Sequence, residues 1–394
     1  MTDKPALRVA MIGYAFMGAA HSQAWRNAHR FFDLPAVPEL AVLCGRTQDS
    51  AEAAARNLGW AQSATDWREV VGRDDIDVVD VSSPGDTHRE IAIAALEAGK
   101  HVLCEKPLAN TVTEAEEMVA SADAARARGV HAMVGFNYRR TPALALARQL
   151  VSQGRLGRLH HIRAQYLQDW IVDPAFPLVW RLRKDKAGSG ALGDIGAHVI
   201  DLAYFLTGER LAGVSGTLER FVERRPVPEQ AAGLSASGGE ETGEVTVDDA
   251  TAFFGRTDGG ALATFEATRF ATGRKNAMRI ELNGSEGSLA FDFERLNELQ
   301  VYDGSVPSND AGFRRILATE PDHPYAGAWW PPGHGLGYEH TFVHEIADFV
   351  RDVCAGTAPS PSFADGLYVQ QVMDAVERSS AAASTWTEIV RSSR

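Results

Sequence analysis

The stretch Val9-Ala10-Met11-Ile12-Gly13-Tyr14-Ala15-Phe16-Met17-Gly18 decides the fold of this chain. A short apolar run ends in a glycine, and a helix-like segment follows from Ala19. That is the phosphate-binding turn of a dinucleotide fold, with one change: the middle glycine is Ala15. Gly13 permits the tight turn, and Gly18 lets helix and strand pack closely. A pyrophosphate would sit on the helix N-terminus, where unpaired N–H groups and the helix dipole attract anions. Gly13, Ala15, Phe16, Met17 and Gly18 are therefore the expected cofactor contacts.

Outward from this turn, strand and helix patterns alternate. Apolar runs predict strands at Leu40–Cys44, Asp77–Val81, His101–Cys104 and Val130–Val134. Helical patterns are predicted at Ala19–Ala28, Ser50–Leu58, from Asp66 onward, Arg89–Ala98 and Thr113–Arg128. Such alternation specifies a parallel, doubly wound sheet with helices on both faces, over residues 1–135. The texture then changes. Pro142–Gln153 and Ala191–Leu206 read as helices, and Arg158–Gln168 as a long strand of mixed polarity. Val214–Phe221, Thr246–Arg256, Ala261–Phe270, Asn276–Asn283 and Ser288–Phe293 read as strands, several separated by glycine turns. These predict a large open antiparallel sheet within a second, α+β domain over residues 136–394. The glycine-rich stretch Gln230–Gly243 reads as a mobile loop, and Tyr338–Val353 and Leu367–Ala383 as late helices.

The net charge of −13 argues against nucleic acid or an anionic membrane as a partner. The chain shows no apolar run long enough to span a bilayer and no signal-peptide pattern. Cys44, Cys104 and Cys354 stand far apart with no Cys-x-x-Cys. A reducing cytoplasm is the expected compartment.

Two further motifs carry chemistry. Glu105-Lys106-Pro107 follows directly on a predicted strand, and ligands bind outside the carboxyl ends of such strands. Lys106 would point toward a bound cofactor, and a cis bond before Pro107 would aim it. An exposed turn lysine is the plainer alternative. In the second motif, Asp194, His198 and Asp201 are spaced i, i+4, i+7 and so share one helix face. A carboxylate one turn from a histidine can orient the imidazole and raise its basicity.

Gly13-x-Ala15-x-x-Gly18, Glu105-Lys106-Pro107 and Gly190-x-x-x-Asp194-x-Gly196-x-His198 together resemble the Gfo/Idh/MocA oxidoreductase family. The resemblance spans nearly the whole chain, in order. It implies a Rossmann domain, a second domain with a large open sheet, and a homodimer or homotetramer joined through that sheet. It implies Lys106, Asp194 and His198 as the catalytic set, acting with NAD or NADP on a secondary hydroxyl. Substrates would be a sugar, an anhydrosugar such as levoglucosan, or a cyclic polyol such as inositol. His198 would take the hydroxyl proton as hydride leaves, Lys106 would stabilise the alkoxide, and Asp194 would bind a neighbouring hydroxyl. Lys106 is the alternative proton acceptor.

The family's NAD-preferring members often end their second strand in a carboxylate. Here the strand ends Cys44-Gly45-Arg46-Thr47. Arg46 can pair with a 2′-phosphate or stack on adenine, so the sequence leaves the cofactor open. The resemblance places Ser82, Pro84, His88, Glu105 and Lys106 beside the nicotinamide half of the cofactor. Tyr138, Trp170, Trp180 and His334 are expected on the substrate side, because aromatic faces suit the C–H faces of sugars. His340-x-x-x-His344-Glu345 does not match a zincin order and has no third ligand, so no metal is expected. Rival functions are an NAD-retaining glycoside hydrolase of the same fold, a reductase of a non-sugar substrate, and a non-catalytic nucleotide-binding regulator.

Overall fold

The computed structural model describes residues 4–228 and 238–391. The chain divides into two compact units, Met1–Asn137 with Gly337–Leu367, and Tyr138–Leu336 with Tyr368–Arg394.

In the first unit, β1 (Ala6–Ile12), α1 (Phe16–Phe31), β2 (Val37–Cys44), α2 (Gln48–Leu58), β3 (Gln62–Ala64), α3 (Trp67–Val71) and β4 (Val78–Val81) follow in order. Then come α4 (His88–Glu97), β5 (His101–Cys104), α5 (Val112–Arg126) and β6 (Ala132–Val134). Among the described residues the strands form one parallel sheet in the order β3-β2-β1-β4-β5-β6. That order reverses direction between β1 and β4, which is the ligand-binding switch point of a Rossmann sheet. The register puts the last residues Ile12, Cys44, Val81 and Cys104 on one level. The N–H groups of Gly13, Ser82 and Glu105 each bond the terminal carbonyl region of a neighbouring strand, at 3.0, 2.9 and 2.9 Å.

Local chemistry sets the helix ends. Asp66 caps α3 by accepting the Arg68 N–H at 2.8 Å. Thr111 and Glu114 form a reciprocal capping box that starts α5. Gly59 closes α2 at φ 80°. β3 was not legible in the sequence: Gln62-Ser63-Ala64 has no apolar β-branched residue and is held by pairing with Val42, Leu43 and Cys44.

The second unit holds α6 (Pro142–Ser152), β7 (Leu159–Leu167), α7 (Lys184–Ala187), a π turn (Leu192–Gly196), α8 (Ala197–Thr207), β8 (Leu211–Glu219), β9 (Arg224–Pro228) and β10 (Gly238–Glu244). These are followed by β11 (Ala250–Thr257), β12 (Leu262–Thr268), β13 (Ala277–Gly284), β14 (Gly287–Asp292), β15 (Glu298–Asp303) and β16 (Arg314–Leu317). The late helix α9 (Tyr338–Ala355) packs on α1 in the first unit, with Trp25 edge-on to Phe349 at 6.2 Å. Helix α10 (Phe363–Ala381) and the short β17 (Thr387–Glu388) complete the chain. Among the described residues the large sheet runs β16-β15-β14-β13-β7-β12-β11-β8-β17. Its inner face buries Ile162, Tyr166, Phe253, Phe265, Ile280 and Leu289, and α6 and α8 pack on this sheet.

The large open sheet is mostly antiparallel, as expected, with β7 paired parallel to β12. Three expectations need correction. Gly238–Glu244, expected in a loop, is a strand paired with β9; residues 230–237 lie outside the described residues. Strand β15 and the edge strands β16 and β17 were missed; the short edges carry little apolar pattern. The helix expected from Ala191 is broken into a π turn followed by α8. A π turn is wider than an α turn, so the i, i+4, i+7 count no longer places Asp194 on the face of Asp201.

One histidine pair makes a pH prediction. His101 and His131 stack at 5.8 Å, and the His131 backbone N–H donates to Nδ1 of His101 at 3.1 Å. Burial, then the neighbouring His131, lowers the His101 pKa from 6.5 to about 4. Protonating Nδ1 would also set two N–H groups against each other. The unfolded chain therefore binds the proton first, and stability falls as pH drops from 6.5 toward 4. Urea unfolding across that window should show His101→Gln lacking about 2–3 kcal/mol of the wild-type decline.

Candidate functional site

The phosphate turn is built as the sequence requires. Gly13 sits at φ +100°, and a Cβ there would lie 2.7 Å from the Ser82 carbonyl oxygen. A Cβ on Gly18 would lie 2.4 Å from the Gly13 carbonyl oxygen, so α1 and β1 need that glycine to approach. Helix α1 starts at Phe16, three residues before the expected Ala19, and takes in Met17 and Gly18. Ala15 is the N-cap; it provides no side-chain cap, and the first turn carries no acid. Exposed N–H groups without a competing carboxylate are what a pyrophosphate requires. The exposed Ala15 adds its methyl without closing this end. Phe16 is exposed and stacks on Tyr338 at 6.2 Å. Arg46 is exposed just past β2, where the Tyr14 ring covers Gly45.

Ser82 follows β4 and donates its hydroxyl to Asp80 at 3.1 Å. Pro84 opens the short turn that leads to α4. His88 is buried, with Nε2 on the Ser83 carbonyl at 2.9 Å and Nδ1 on the Pro107 carbonyl at 3.0 Å. It braces the serine turn against the Lys106–Pro107 loop. Burial lowers its basicity, and the two carbonyl oxygens oppose that. The Lys106–Pro107 bond is cis. Glu105 is buried and accepts the Lys106 backbone N–H at 3.1 Å.

In the second unit, the start of the π turn is held by Asp248, whose carboxylate accepts the N–H groups of Gly190 (2.7 Å) and Leu192 (2.8 Å). Burial raises the Asp248 pKa, which Arg269 and those N–H groups offset in part. A Cβ on Gly190 would fall 1.8 Å from the Asp248 carbonyl oxygen, which explains the glycine. Asp194 lies 3.6 Å from the fully buried Arg269, with its own side chain 25% exposed. A partly exposed carboxylate thus lies beside a buried cation. His198 is buried and stacks on Tyr138 at 4.5 Å.

Tyr138 begins a polar chain. Tyr166 donates to Asn276 Oδ1 at 2.6 Å, so Tyr138 donates to Tyr166, also at 2.6 Å. Gln168 donates to the same Asn276 oxygen at 2.8 Å, and Trp170 donates to Gln168 at 3.1 Å. Tyr138, Trp170 and His198 therefore belong to one connected set. Arg269 lies over the Trp170 ring at 5.6 Å and ties Asp194 to it. Asp201 serves elsewhere, pairing with buried Arg139 within the second unit. Trp180 carries Arg181 across its face, and exposed His334 bonds the Pro331 carbonyl. Among the described residues, neither shares a ring or hydrogen-bond contact with Tyr138 or His198. His340 accepts the Gly337 N–H at 3.0 Å, and His344 packs edge-on to Phe32 at 5.7 Å. No cluster of three metal-ligating side chains occurs among the described residues.

Sequence reasoning missed Arg269, Asn276 and Tyr166, because their partners are distant in the chain. It also gave no role to His21 or Asp80. Asp80 did carry a signal: a carboxylate inside the apolar strand Val78-Val79-Asp80-Val81 must have a partner.

Similarity to known proteins follows the same two units. Residues 7–136 match the model of an oxidoreductase family with an NAD-binding Rossmann fold, and residues 144–290 match the GFO/IDH/MocA C-terminal domain. Levoglucosan dehydrogenase of Pseudarthrobacter phenanthrenivorans is 44% identical over 390 residues, covering 97% of this chain and 98% of the relative. A crystal structure of an oxidoreductase domain protein from Kribbella flavida has a TM-score of 0.94 at 62% identity, covering 98% of this chain and 100% of that one. A levoglucosan dehydrogenase solved with NADH and levoglucosan has a TM-score of 0.91 at 43% identity, with 98% and 100% coverage. Among the described residues, no helix is long and apolar enough to cross a membrane.

Gly13→Ala should act through the protein before it acts through the cofactor. Its Cβ meets the backbone at the end of β4, in a conformation that L residues rarely adopt. We expect destabilisation of about 1–3 kcal/mol in thermal unfolding, and loss of NADH binding by fluorescence titration.

Proposed function

This chain belongs to the Gfo/Idh/MocA family of NAD-binding oxidoreductases, and from that premise we propose that it oxidises a secondary hydroxyl of a sugar or anhydrosugar, with levoglucosan the first candidate. The observation that carries the reading is the arrangement on the π turn and α8. A partly exposed Asp194 stands over buried Arg269, while His198 stacks on a tyrosine joined by hydrogen bonds to an indole. A carboxylate, an imidazole and aromatic faces are what polyol recognition uses. The relative that is 44% identical over 97% of this chain is a levoglucosan dehydrogenase, which supports the substrate class.

NAD, when bound, supplies the hydride acceptor. The uncapped N-terminus of α1 behind Gly13 would hold its pyrophosphate, with Phe16, Met17 and Gly18 lining the turn. Arg46 would lie along the adenosine, while Ser82, Pro84, His88 and Glu105 would shape the wall of the nicotinamide half. Asp194 accepts hydrogen bonds from sugar hydroxyls, with the guanidinium of Arg269 3.6 Å away. His198 takes the proton of the reacting hydroxyl. Lys106 donates to the same oxygen and stabilises its developing negative charge. Tyr138 holds the imidazole plane by stacking. Trp170 offers a face to the ring C–H groups, with Trp180 and His334 as outer contacts of the sugar.

The reading extends to the assembly and the compartment. The outer face of the large sheet bears Arg163, Gln165, Glu266 and Glu281 with exposed Phe254 and Trp386, whose rings lie 6.5 Å apart. Exposed aromatics on a broad sheet face suit a homodimer or homotetramer. The buried thiols Cys44 and Cys104 and the exposed thiol Cys354, all free, suit a reducing cytoplasm.

Two measurements test these proposals. Purified enzyme with NAD and levoglucosan should accumulate NADH stoichiometrically with oxidised sugar. Hydrolysis without net NADH would overturn the dehydrogenase reading in favour of the NAD-retaining hydrolase. His198→Asn should lose on the order of 10²–10⁴-fold in kcat while still binding NADH, and Lys106→Met should likewise fail in turnover more than in binding. For the assembly, light scattering of wild type should give two or four times the mass of one chain, and Phe254→Asp with Trp386→Ser should reduce it. A monomeric wild type would remove the interface.

A further inference from the structure

One fully buried ionisable side chain has no part in the roles above. His21 on α1 is 1% exposed at its side chain and lies between two carboxylates, Asp80 at 0% and Glu105 at 5%. Its Nδ1 is 2.9 and 3.1 Å from the two Asp80 oxygens, and its Nε2 is 3.0 Å from Glu105 Oε1. The other groups bonded to these carboxylates are donors. Trp25 Nε1 gives to Asp80 at 2.7 Å, the Ser82 hydroxyl to Asp80 at 3.1 Å, and the Lys106 backbone N–H to Glu105 at 3.1 Å. Both carboxylates are therefore acceptors on all sides, and His21 must supply a proton from each nitrogen. Burial opposes that charge, but Asp80 and then Glu105 hold the His21 pKa well above its ordinary value. The remaining neighbours do not compete: the Phe342 ring lies 5.4 Å away on α9, and Cys104 stays a neutral thiol because burial raises its pKa.

The network joins three elements. His21 is on the helix that follows the phosphate turn, Asp80 is in β4, and Glu105 opens the loop after β5. Gly135 packs closely on Glu105: a Cβ there would lie 2.9 Å from its Oε1.

We propose that His21 is a positioning residue: a permanent imidazolium, clamped by Asp80 and Glu105, that fixes the Glu105–Lys106 loop on the phosphate-turn helix and so sets where Lys106 stands. This inference rests on the reading of Lys106 as catalytic. His21 touches neither substrate nor cofactor in this role; it acts through Glu105, whose second oxygen receives the Lys106 N–H. Losing the charge frees Glu105 and the lysine loop without removing Lys106.

The test uses the holoenzyme. With ¹⁵N-labelled histidine, His21 should keep both ring nitrogens protonated throughout the range in which an ordinary histidine titrates. A neutral His21, or one titrating in the ordinary histidine range, would overturn the proposal. His21→Gln should lower kcat about tenfold or more while leaving the KM for NAD within about threefold. In a Lys106→Met background the same substitution should cost less than about twofold, because its route of action is gone. An equal fractional loss in both backgrounds would show a merely structural role. If Lys106→Met alone turns over normally, it is the catalytic reading of Lys106 that fails, and the double variant still reports on His21 separately. Should His21→Gln fail to fold, Glu105→Gln serves: it keeps the shape and one of the two acceptor oxygens but removes the charge. His21 should then titrate at a lower pH than in the wild type, and kcat should fall as pH rises through that titration; no change in either overturns the clamp.

Discussion

The first unit depends on one geometric constraint: its parallel strands end at a common level. Parallel hydrogen bonding fixes Ile12 beside Cys44 and Val81, and Val81 beside Cys104. The residues that come next, Gly13, Gly45, Ser82 and Glu105, are consequently neighbours in space although distant in the chain. Gly13 has no room for a side chain because Ser82 is there, and Gly45 is covered by Tyr14. A sheet of this order leaves its crevice between β1 and β4, where the uncapped helix α1 begins.

Paired buried charge is the second recurring device. Arg139 bonds Asp201 through two nitrogens in the second unit. Arg269 lies against Asp194 and donates to the Asp248 carbonyl at 2.9 Å. His21 is enclosed by Asp80 and Glu105. Desolvating such groups costs several kcal/mol per ion, and breaking one partner of a buried pair costs about 3–5 kcal/mol. Packed apolar residues would be at least as stable, so these pairs are better explained by the orientation they impose. Asp194 is held beside Arg269, and Glu105 is held against the lysine loop.

The substrate side relies on backbone irregularity as much as on side chains. The π turn at Leu192–Gly196 ends where α8 begins, and it needs Gly190 at its start because the Asp248 carbonyl occupies the Cβ position. Local widening of a helix re-aims a side chain relative to ordinary helical spacing. Asp194 and Asp201 are seven residues apart by number, yet one faces Arg269 and the other is sealed against Arg139.

The sequence by itself determined the elements whose signals are local. The apolar run into Gly13, the capping pattern at Thr111–Glu114 and the strand His101–Cys104 are written in adjacent residues, because turns, caps and strands are short-range physics. The motifs that contain Lys106, Asp194 and His198 are likewise runs of nearby residues. Tertiary structure decided what depends on contacts between distant residues. β3 and the edge strands exist only because a neighbour offers hydrogen-bonding groups. The parallel placement of β12 on β7 follows from strand order, which periodicity does not encode. Arg269 under Asp194, Asn276 joining Tyr166 to Gln168, and His21 between Asp80 and Glu105 link residues far apart in the chain, His21 and Asp80 by 59 positions and Tyr166 and Asn276 by 110. A charged side chain in a sequence shows only that a partner is needed; which one it meets is fixed when the chain closes around it and water is excluded.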